Sequence, residues 1–518
     1  MRIVTVDEMR EIERRAETEA GLSIPAMMEH AGRSGAEALR AYLAGVVTGR
    51  AILVLIGPGN NGGDGRVMGR FLAEWGAHVT LYGWKERRLE VDKRFIPVND
   101  DLLAVREAIA RADIVVDALL GTGHSRPLDP TMRRLLALVA EERRLRPDVS
   151  VLALDLPSGL NADTGAVDEG TLAADLTVAL GFPKVGHVLF PGAAYVGTLR
   201  VGSIGLPADM SLPSGMELLD ADLIRPVLPA RPLDSNKGTF GKALVLAGSP
   251  RFPGAAYLVA GAASRIGTGL VTLAVAPELV PVYVTMLPEA VYHPLPETSA
   301  PPEERARALL DGLADQRALV IGPGLGQEEP TRALVEHVLA GLRALPASER
   351  PRLIIDADGL NILAQMERWH ELVPEQTVIT PHPGEMSRLL GGEHVSGGGA
   401  NRLEVARRAA AAWGCYVVLK GACTLVASPE GALRVNWPPN PALATAGTGD
   451  VLAGTVCGLL AQGLAPFEAA SAAVFVHGRA GLQLRERLGD AGALAGDLLT
   501  ELPLALKAIK ATKRASAR

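Results

Sequence analysis

Short apolar runs recur along the chain, each followed by a glycine-rich turn and a stretch of helical periodicity. The first series is "AILVLIGPGNNGG", "HVTLYGW", "ADIVVDALLGTG", "SVLALDLPSG" and "ADLTVALGFPK". Its spacing predicts βαβ units on a mostly parallel sheet. A second series begins at "FGKALVLAGS" and continues through "GLVTLAV", "RALVIGPGLG", "RLIIDADGLNIL", "QTVITPHPGE" and "CYVVLKG" to the helical "GDVLAGTVCGLLAQG". Between them the proline-bearing stretch from Pro207 to Arg231 shows no clear strand and reads as a linker with a short helix. The expected organisation is an α/β domain over 1–215, a linker over 216–230 and a second α/β domain over 231–510. "LGGEHVSGGGANRLE" reads as a surface loop and "KAIKATKRASAR" as a solubilising basic tail.

Composition narrows the class. At 518 residues the chain is too long for one ordinary core. With 48% apolar and 21% charged residues it has the make-up of a folded protein. A net charge of -6 leaves no footprint for nucleic acid, so anionic ligands need local donors. Cys415, Cys423 and Cys457 are too few to staple the fold, which points to a reducing, cytoplasmic setting. The acidic, amphipathic N-terminal segment is no signal peptide, and the apolar runs are too short to span a membrane.

The glycine-rich corner after "AILVLI" marks a close backbone approach to something, because glycine there costs conformational entropy. It matches neither GxGxxG nor a Walker A loop. Polar residues gather at three strand ends: Asn60, Asn61 and Asp64, then Asp117, then Asp155 with Ser158. Three such ends converge at the carboxyl edge of one sheet, where open α/β sheets bind ligands. Asn, Ser, Asp and freed backbone carbonyls form a hard oxygen set, suited to an alkali or alkaline-earth cation and not to zinc. The amides of "GTGHSRP", Gly121 to Pro127, suit a phosphate, with Arg126 in support.

"GPGNNGGDG", "DALLGTG", "DLPSGL" and "FPKVGH", in this order, resemble the NAD(P)H-hydrate (NAD(P)HX) epimerases. The resemblance covers about residues 1 to 215; a Leu at Leu156, where Ile is usual, and the polar His124 are small departures. It implies a Rossmann-like three-layer domain that interconverts R- and S-hydrates beside a potassium ion held by Asn61, Asp117 and Ser158. Asn60, Asn61, Gly62, Gly63 and Asp64, together with Gly121, Thr122, Gly123, His124, Ser125, Arg126, Pro127 and Asp155, then correspond to the dinucleotide contacts. Asp155 is the acid/base candidate, and Lys184 is either its charge partner or half of a plain salt bridge.

In the second series, "PGAAYLVAGAASRIGTG" is a small-residue helix that either leaves room for a ligand or packs closely on a neighbour. "AGTGD" runs straight into a helix, so amides from Gly447 to Asp450 face outward with the helix dipole behind them. Asp450 caps that helix, or takes a hydroxyl proton while the amides stabilise a transferring phosphoryl group. With "NKG", "PGLG", "DADGLN", "TPHPGE" and "LKG", the segment from about 225 to 510 resembles the ADP- or ATP-dependent NAD(P)HX dehydratases of the ribokinase-like superfamily. The resemblance implies a ribokinase-like three-layer α/β domain that phosphorylates the S-hydrate and eliminates phosphate. Ala255, Gly324, His382 and Asp450 then correspond to hydrate contacts, and Lys420, Gly421, Ala422, Cys423, Thr424 and Gly449 to nucleotide contacts. His382 is alternatively a satisfied loop histidine, and Asp356, Asp358 and Asn361 either order magnesium through water or cap a helix.

Two other readings compete. One is a small-molecule kinase of ribokinase-like type fused to a non-catalytic nucleotide-binding module; an epimerase whose product feeds its neighbour argues against it. The other makes the N-terminal domain a scaffold, which would not need the Asn61, Asp117, Asp155 and Ser158 set. The resemblance also leads us to expect a homo-oligomer whose partners are small molecules.

Overall fold

The computed structural model describes residues 1–84, 95–96, 102–123, 126–207, 210, 215–395 and 401–511. It divides into two compact units, one centred on residues 2–214 and the other beginning at Gly215.

The first unit contains seven strands: β1 (Ala51–Ile56), β2 (His78–Gly83), β3 (Phe95–Ile96), β4 (Ile114–Ala118), β5 (Ser150–Leu154), β6 (Leu176–Leu180) and β7 (Thr198–Gly202). They lie in the order β3-β2-β1-β4-β5-β6-β7, every neighbouring pair parallel. A sheet buried on both faces explains why its strands read as unbroken apolar runs instead of alternating ones. In β1, Ile52, Val54 and Ile56 pack on one side with Met9, Ile12, Met68 and Leu72. Leu53 and Leu55 pack on the other with Ile109, Leu135 and Val139. Strand order reverses between β1 and β4, which places a crevice at their carboxyl ends. There Gly57 passes so close to Leu119 that a Cβ would stand 1.7 Å from its carbonyl oxygen.

The second unit contains ten strands: β8 (Met216–Leu218), β9 (Lys242–Leu246), β10 (Leu270–Val275), β11 (Val291–Pro294), β12 (Ala318–Ile321), β13 (Arg352–Ile355), β14 (Val378–Ile379), β15 (Tyr416–Leu419), β16 (Leu425–Ala427) and β17 (Leu433–Val435). The order is β11-β10-β9-β12-β13-β14-β15-β16-β17-β8, with β16 antiparallel to both neighbours. Its switch point lies between β9 and β12, where the Gly248 amide donates to the Pro323 carbonyl at 2.8 Å.

Two expectations need correction, and one open choice is settled. The stretch read as a strandless linker contributes β8, which pairs with β17 and belongs to the second unit; the expected short helix is present at Ala221–Ile224. Three residues are too few to display a period, and tertiary pairing alone makes the strand. The small-residue helix Pro253–Arg265 packs closely on a neighbour: a Cβ on Gly454, in the helix Thr448–Ala461, would stand 2.1 Å from the Val259 carbonyl oxygen. The basic tail is helical as far as Ala511 because Leu502, Ala505 and Ile509 are buried, and the rest of it lies outside the described residues.

Candidate active sites

In the first unit, the corner read as a loop is helix from Asn60 onward, so Asn60 to Asp64 form the first turn of the helix Asn60–Glu74. Gly and Asn are poor helix formers, and tertiary packing overrides them here. The helix presents its uncapped N-terminus to a cavity of about 570 Å³. Asn60, Asn61, Asp64, Gly121, Thr122, Gly123, Asp155 and Lys184 line it, as do Met9, Arg10 and Glu13 of the helix Val6–Ala20, which sequence reasoning did not single out.

Asp155 stands just past β5 at φ +65°, a region that disfavours residues with a side chain. Three neighbours hold it there. The Lys184 ammonium donates to Asp155 Oδ1 at 2.5 Å and to the Leu180 carbonyl at 2.7 Å, and the Leu180 amide donates to the same Oδ1. His187 Nδ1 accepts from the Lys184 amide at 2.9 Å, which leaves Nε2 as the donor to the Asp155 carbonyl at 2.8 Å. Burial, and then the Lys184 charge, push His187 down to about 4, so it holds the turn as a neutral ring. Burial, followed by the charges of Asp155 and Glu13, pushes Asp64 up to about 8. A protonated carboxyl and a lysine-bound one therefore face the same cavity.

Asp117 and Ser158 lie behind that cavity. Ser158 donates from Oγ to Asp117 Oδ1 at 2.7 Å and from its amide to Oδ2 at 2.8 Å, and the Leu119 amide also reaches Oδ1. All three donors are neutral, and burial pushes the Asp117 carboxyl up. Asn61 donates to the carbonyls of Leu120 and Leu154, while its Oδ1 is buried without a partner. A buried carboxyl whose donors are all neutral and the orphaned Asn61 oxygen are hard oxygen groups that suit a monovalent cation. Arg126 and Pro127 line a separate cleft with Gly159, Asn161 and Asp168, away from Gly121 to Gly123; His124 and Ser125 lie outside the described residues.

In the second unit Lys420, just past β15, donates to Asp356 Oδ1 at 2.7 Å and lies 3.7 Å from Glu385. Burial opposes its charge, yet Asp356 and Glu385 hold the ammonium above its usual value. Gly449 adjoins it, since a Cβ there would stand 3.4 Å from Lys420 Nζ. Gly447, at φ +88°, opens the helix Thr448–Ala461 without a side-chain cap. Asp450 is in its first turn, where burial and the neighbouring Asp356 push its carboxyl up to about 7. His477, from the helix Pro466–Leu488, lies 3.0 Å from the Thr448 carbonyl through Nε2, and burial pushes it down to about 4. Ala255 and Gly324 meet across the switch point, a Cβ on Gly324 falling 2.7 Å from Ala255.

His382 is a cap. Its Nδ1 accepts from the amides of Gly384 and Glu385, and the Glu385 carboxylate accepts from the His382 amide. Asp358 and Asn361 are also committed, the first to the Gly326 amide and Gln327, the second to Arg388, so with Asp356 they do not form one cation cage. Asp356 Oδ2 is buried without a partner. Cys423 is buried, so it offers the loop only its backbone, and burial pushes its thiol up to about 12.

Residues 243–504 match the family described as NAD(P)H-hydrate dehydratase, and residues 25–186 match the YjeF-related protein N-terminus. The bifunctional NAD(P)H-hydrate repair enzyme Nnr of Moorella thermoacetica is 36% identical, over 98% of this chain and 97% of its own length. The chain belongs to the bifunctional NAD(P)H-hydrate repair enzymes. The Thermofilum pendens member is 37% identical over the same shares of both chains. An ADP/ATP-dependent NAD(P)H-hydrate dehydratase from Bacillus subtilis, co-crystallised with ATP and Mg2+, is 32% identical over 57% of this chain and 98% of its own, with a TM-score of 0.47. As a family member the chain joins a Rossmann-like epimerase unit to a ribokinase-like dehydratase unit. No helix among the described residues is long and apolar enough to cross a membrane.

Proposed function

We propose that the first unit interconverts R- and S-NAD(P)HX at the Asp155 cavity and that the second dehydrates the S form at Asp450, with ADP or ATP as phosphoryl donor. The observation that supports this division is that each unit holds its own carboxylate beside a lysine at a sheet's carboxyl edge. In the first site, Asp155 takes a proton from the substrate and protonated Asp64 donates one, a pairing in which environment separates two carboxyls. Asn61, Asp117 and Ser158 would hold potassium, whose charge offsets the buried Asp117 and steadies the loops around the dinucleotide.

In the second site, Asp450 accepts the C6 hydroxyl proton as that oxygen bonds to the terminal phosphorus and the nucleotide leaves one phosphate shorter. The ester oxygen then departs from C6 as inorganic phosphate with the bonding pair; the ring nitrogen supplies electrons and the neighbouring carbon loses a proton. Phosphate leaves far more readily than hydroxide, which is why a net dehydration consumes a nucleotide. Ala255, Gly324 and His382 contact the hydrate; Lys420, Gly421, Ala422, Cys423, Thr424 and Gly449 contact the nucleotide. Magnesium would travel with the nucleotide, and the unpartnered Asp356 Oδ2 would accept from its water shell. We place the protein in the cytoplasm as a homo-oligomer, the assembly being measurable by light scattering.

The test uses the whole chain and a mixture of R- and S-hydrates, with the epimers resolved by chromatography. Complete recovery of nicotinamide absorbance requires nucleotide, and its R-dependent phase is accelerated by potassium. Recovery without nucleotide would refute the phosphorylation scheme. R-hydrate that persists after the S form is spent would refute the epimerase assignment.

A further inference from the structure

Arg402 is the largest fully buried side chain among the described residues and takes no part in the chemistry above. It enters from the helix Asn401–Trp413 beneath the turn that joins β15 to β16. Its Nη2 donates to the carbonyls of Leu419 at 3.2 Å and Lys420 at 3.0 Å, and its Nη1 to that of Cys423 at 3.2 Å. Its Nε is buried without a partner, and among the described residues no carboxylate forms an ion pair with it. The nearby Cys423 thiol is itself buried, which keeps it neutral. The guanidinium is therefore a buried cation balanced only by carbonyl dipoles, an arrangement that is costly unless an anion completes it.

The turn is shaped around this group. Gly421 sits at φ +153°, and a Cβ there would stand 2.5 Å from Arg402 Nη2. Carbonyls of Leu419, Lys420 and Cys423 point down onto the guanidinium, while Gly421 and Ala422 are exposed on the other side. We infer that Arg402 is a positioning residue for the nucleotide: it gathers the carbonyls of the 419–423 turn inward, turns the amides of Gly421 to Thr424 toward the phosphates of ADP or ATP, and supports those phosphates with a buried positive charge. This rests on reading residues 420–424 as the nucleotide site. Arginine suits the task because one planar fork serves several carbonyls at once, which lysine cannot reproduce.

The test uses the full chain with Arg402→Lys, Arg402→Met and Gly421→Ala. ADP binding is followed by calorimetry, and dehydration and epimerisation by kinetics in the same preparations. Losing charge-assisted bonds of this kind corresponds to about 10- to 100-fold weaker nucleotide binding. Arg402→Met is expected to raise Kd and KM for ADP by that factor, with kcat at saturating ADP and KM for the hydrate near wild type. Arg402→Lys falls between wild type and Met, and Gly421→Ala weakens ADP binding by displacing the fork from the loop side. Epimerisation is unchanged in all three. Unaltered ADP binding in Arg402→Met overturns the inference. So does a fall of kcat and both KM-derived efficiencies in step with lost thermal stability that Arg402→Lys does not relieve, since that marks a purely structural arginine. Wild-type chain that binds no ADP at all would instead refute the underlying nucleotide site.

Discussion

The two sites are assembled from the same parts and wired differently. Each has a carboxylate at a sheet's carboxyl edge, a lysine nearby and a buried neutral histidine on a backbone carbonyl, Asp155 for His187 and Thr448 for His477. In the first site the lysine bonds the candidate catalytic carboxylate itself. In the second it bonds a neighbour, Asp356, and leaves Asp450 in its pocket with only distant compensation. The lysine thus leaves a different carboxyl unpaired in each site, Asp64 in the first and Asp450 in the second, and burial pushes them up, to about 8 and about 7. One site sets a lysine-bound carboxylate and a protonated carboxyl on one cavity; the other keeps a base whose proton affinity sits at the working pH, the range where transfer is most effective.

The sharpest break of this comparison is Asp450→Asn, which removes the unpaired base. Dehydration of purified S-hydrate is expected to fall about 10²- to 10⁴-fold while epimerisation in the same chain continues. Absorbance recovery by the variant at the wild-type rate would refute the assignment. Asp155→Asn is expected to slow R-hydrate consumption by about 10²-fold, the lower end of that range because Asp64 remains as a second proton carrier. Chromatography of the epimers over time checks it, and wild-type consumption of R-hydrate would revive the scaffold reading.

Next comes pH. Asp450 must be ionised to accept a proton, so kcat/KM for dehydration is expected to fall as pH drops below about 7. Asp64 must be protonated to donate, so epimerisation is expected to fall as pH rises above about 8. The same groups load stability in one direction. Their folded pKa values exceed the unfolded ones, so their contribution is greatest at low pH and is lost as pH rises through those values. The dehydratase therefore gains activity over the range in which Asp450 costs the fold most. Parallel pH profiles for the two activities would defeat the contrast. The smallest effect belongs to the histidines. His187→Ala removes two neutral hydrogen bonds and His477→Ala removes one, and each is expected to lower only its own unit's activity, by about tenfold or less. Loss of both activities in either variant would show that the rings support the fold more than the site.

The strands and the polar residues at their ends were legible because a parallel sheet writes itself as apolar runs closed by glycine. Asp155, Asp117, Ser158 and Lys420 were singled out that way, and Asp450 from the glycines that open its helix. The supporting residues were not. Arg402 is one arginine among several in "NRLEVARR", and nothing in the local pattern separates it from Arg408, which pairs with Glu393 near the surface. Glu13 and His477 lie on helices whose periodicity records burial without saying what the buried group touches. The turn at Asn60 was read as loop because propensity is local, whereas its helix is fixed by packing against Gly57 and Met28. The role of "DADGLN" stayed open because its side chains carry structural bonds as well, Asp358 to the Gly326 amide and Asn361 to Arg388.

Strand β8 has a consequence for how the protein comes off the ribosome. Glu217 beside β17's Arg434 closes an ion pair between residues 217 positions apart, and the same two strands form one edge of the ten-stranded sheet. Emerging first, the segment has only Met1 as a backbone partner until β17 has been synthesised. Long-range pairing of this kind is slow and leaves strand-forming backbone exposed in the interval. A nascent chain halted before Val435 carries an open edge, a natural substrate for chaperones. An expression fragment cut after residue 218 would carry the same defect permanently, with β17 bare and prone to pair with a second molecule.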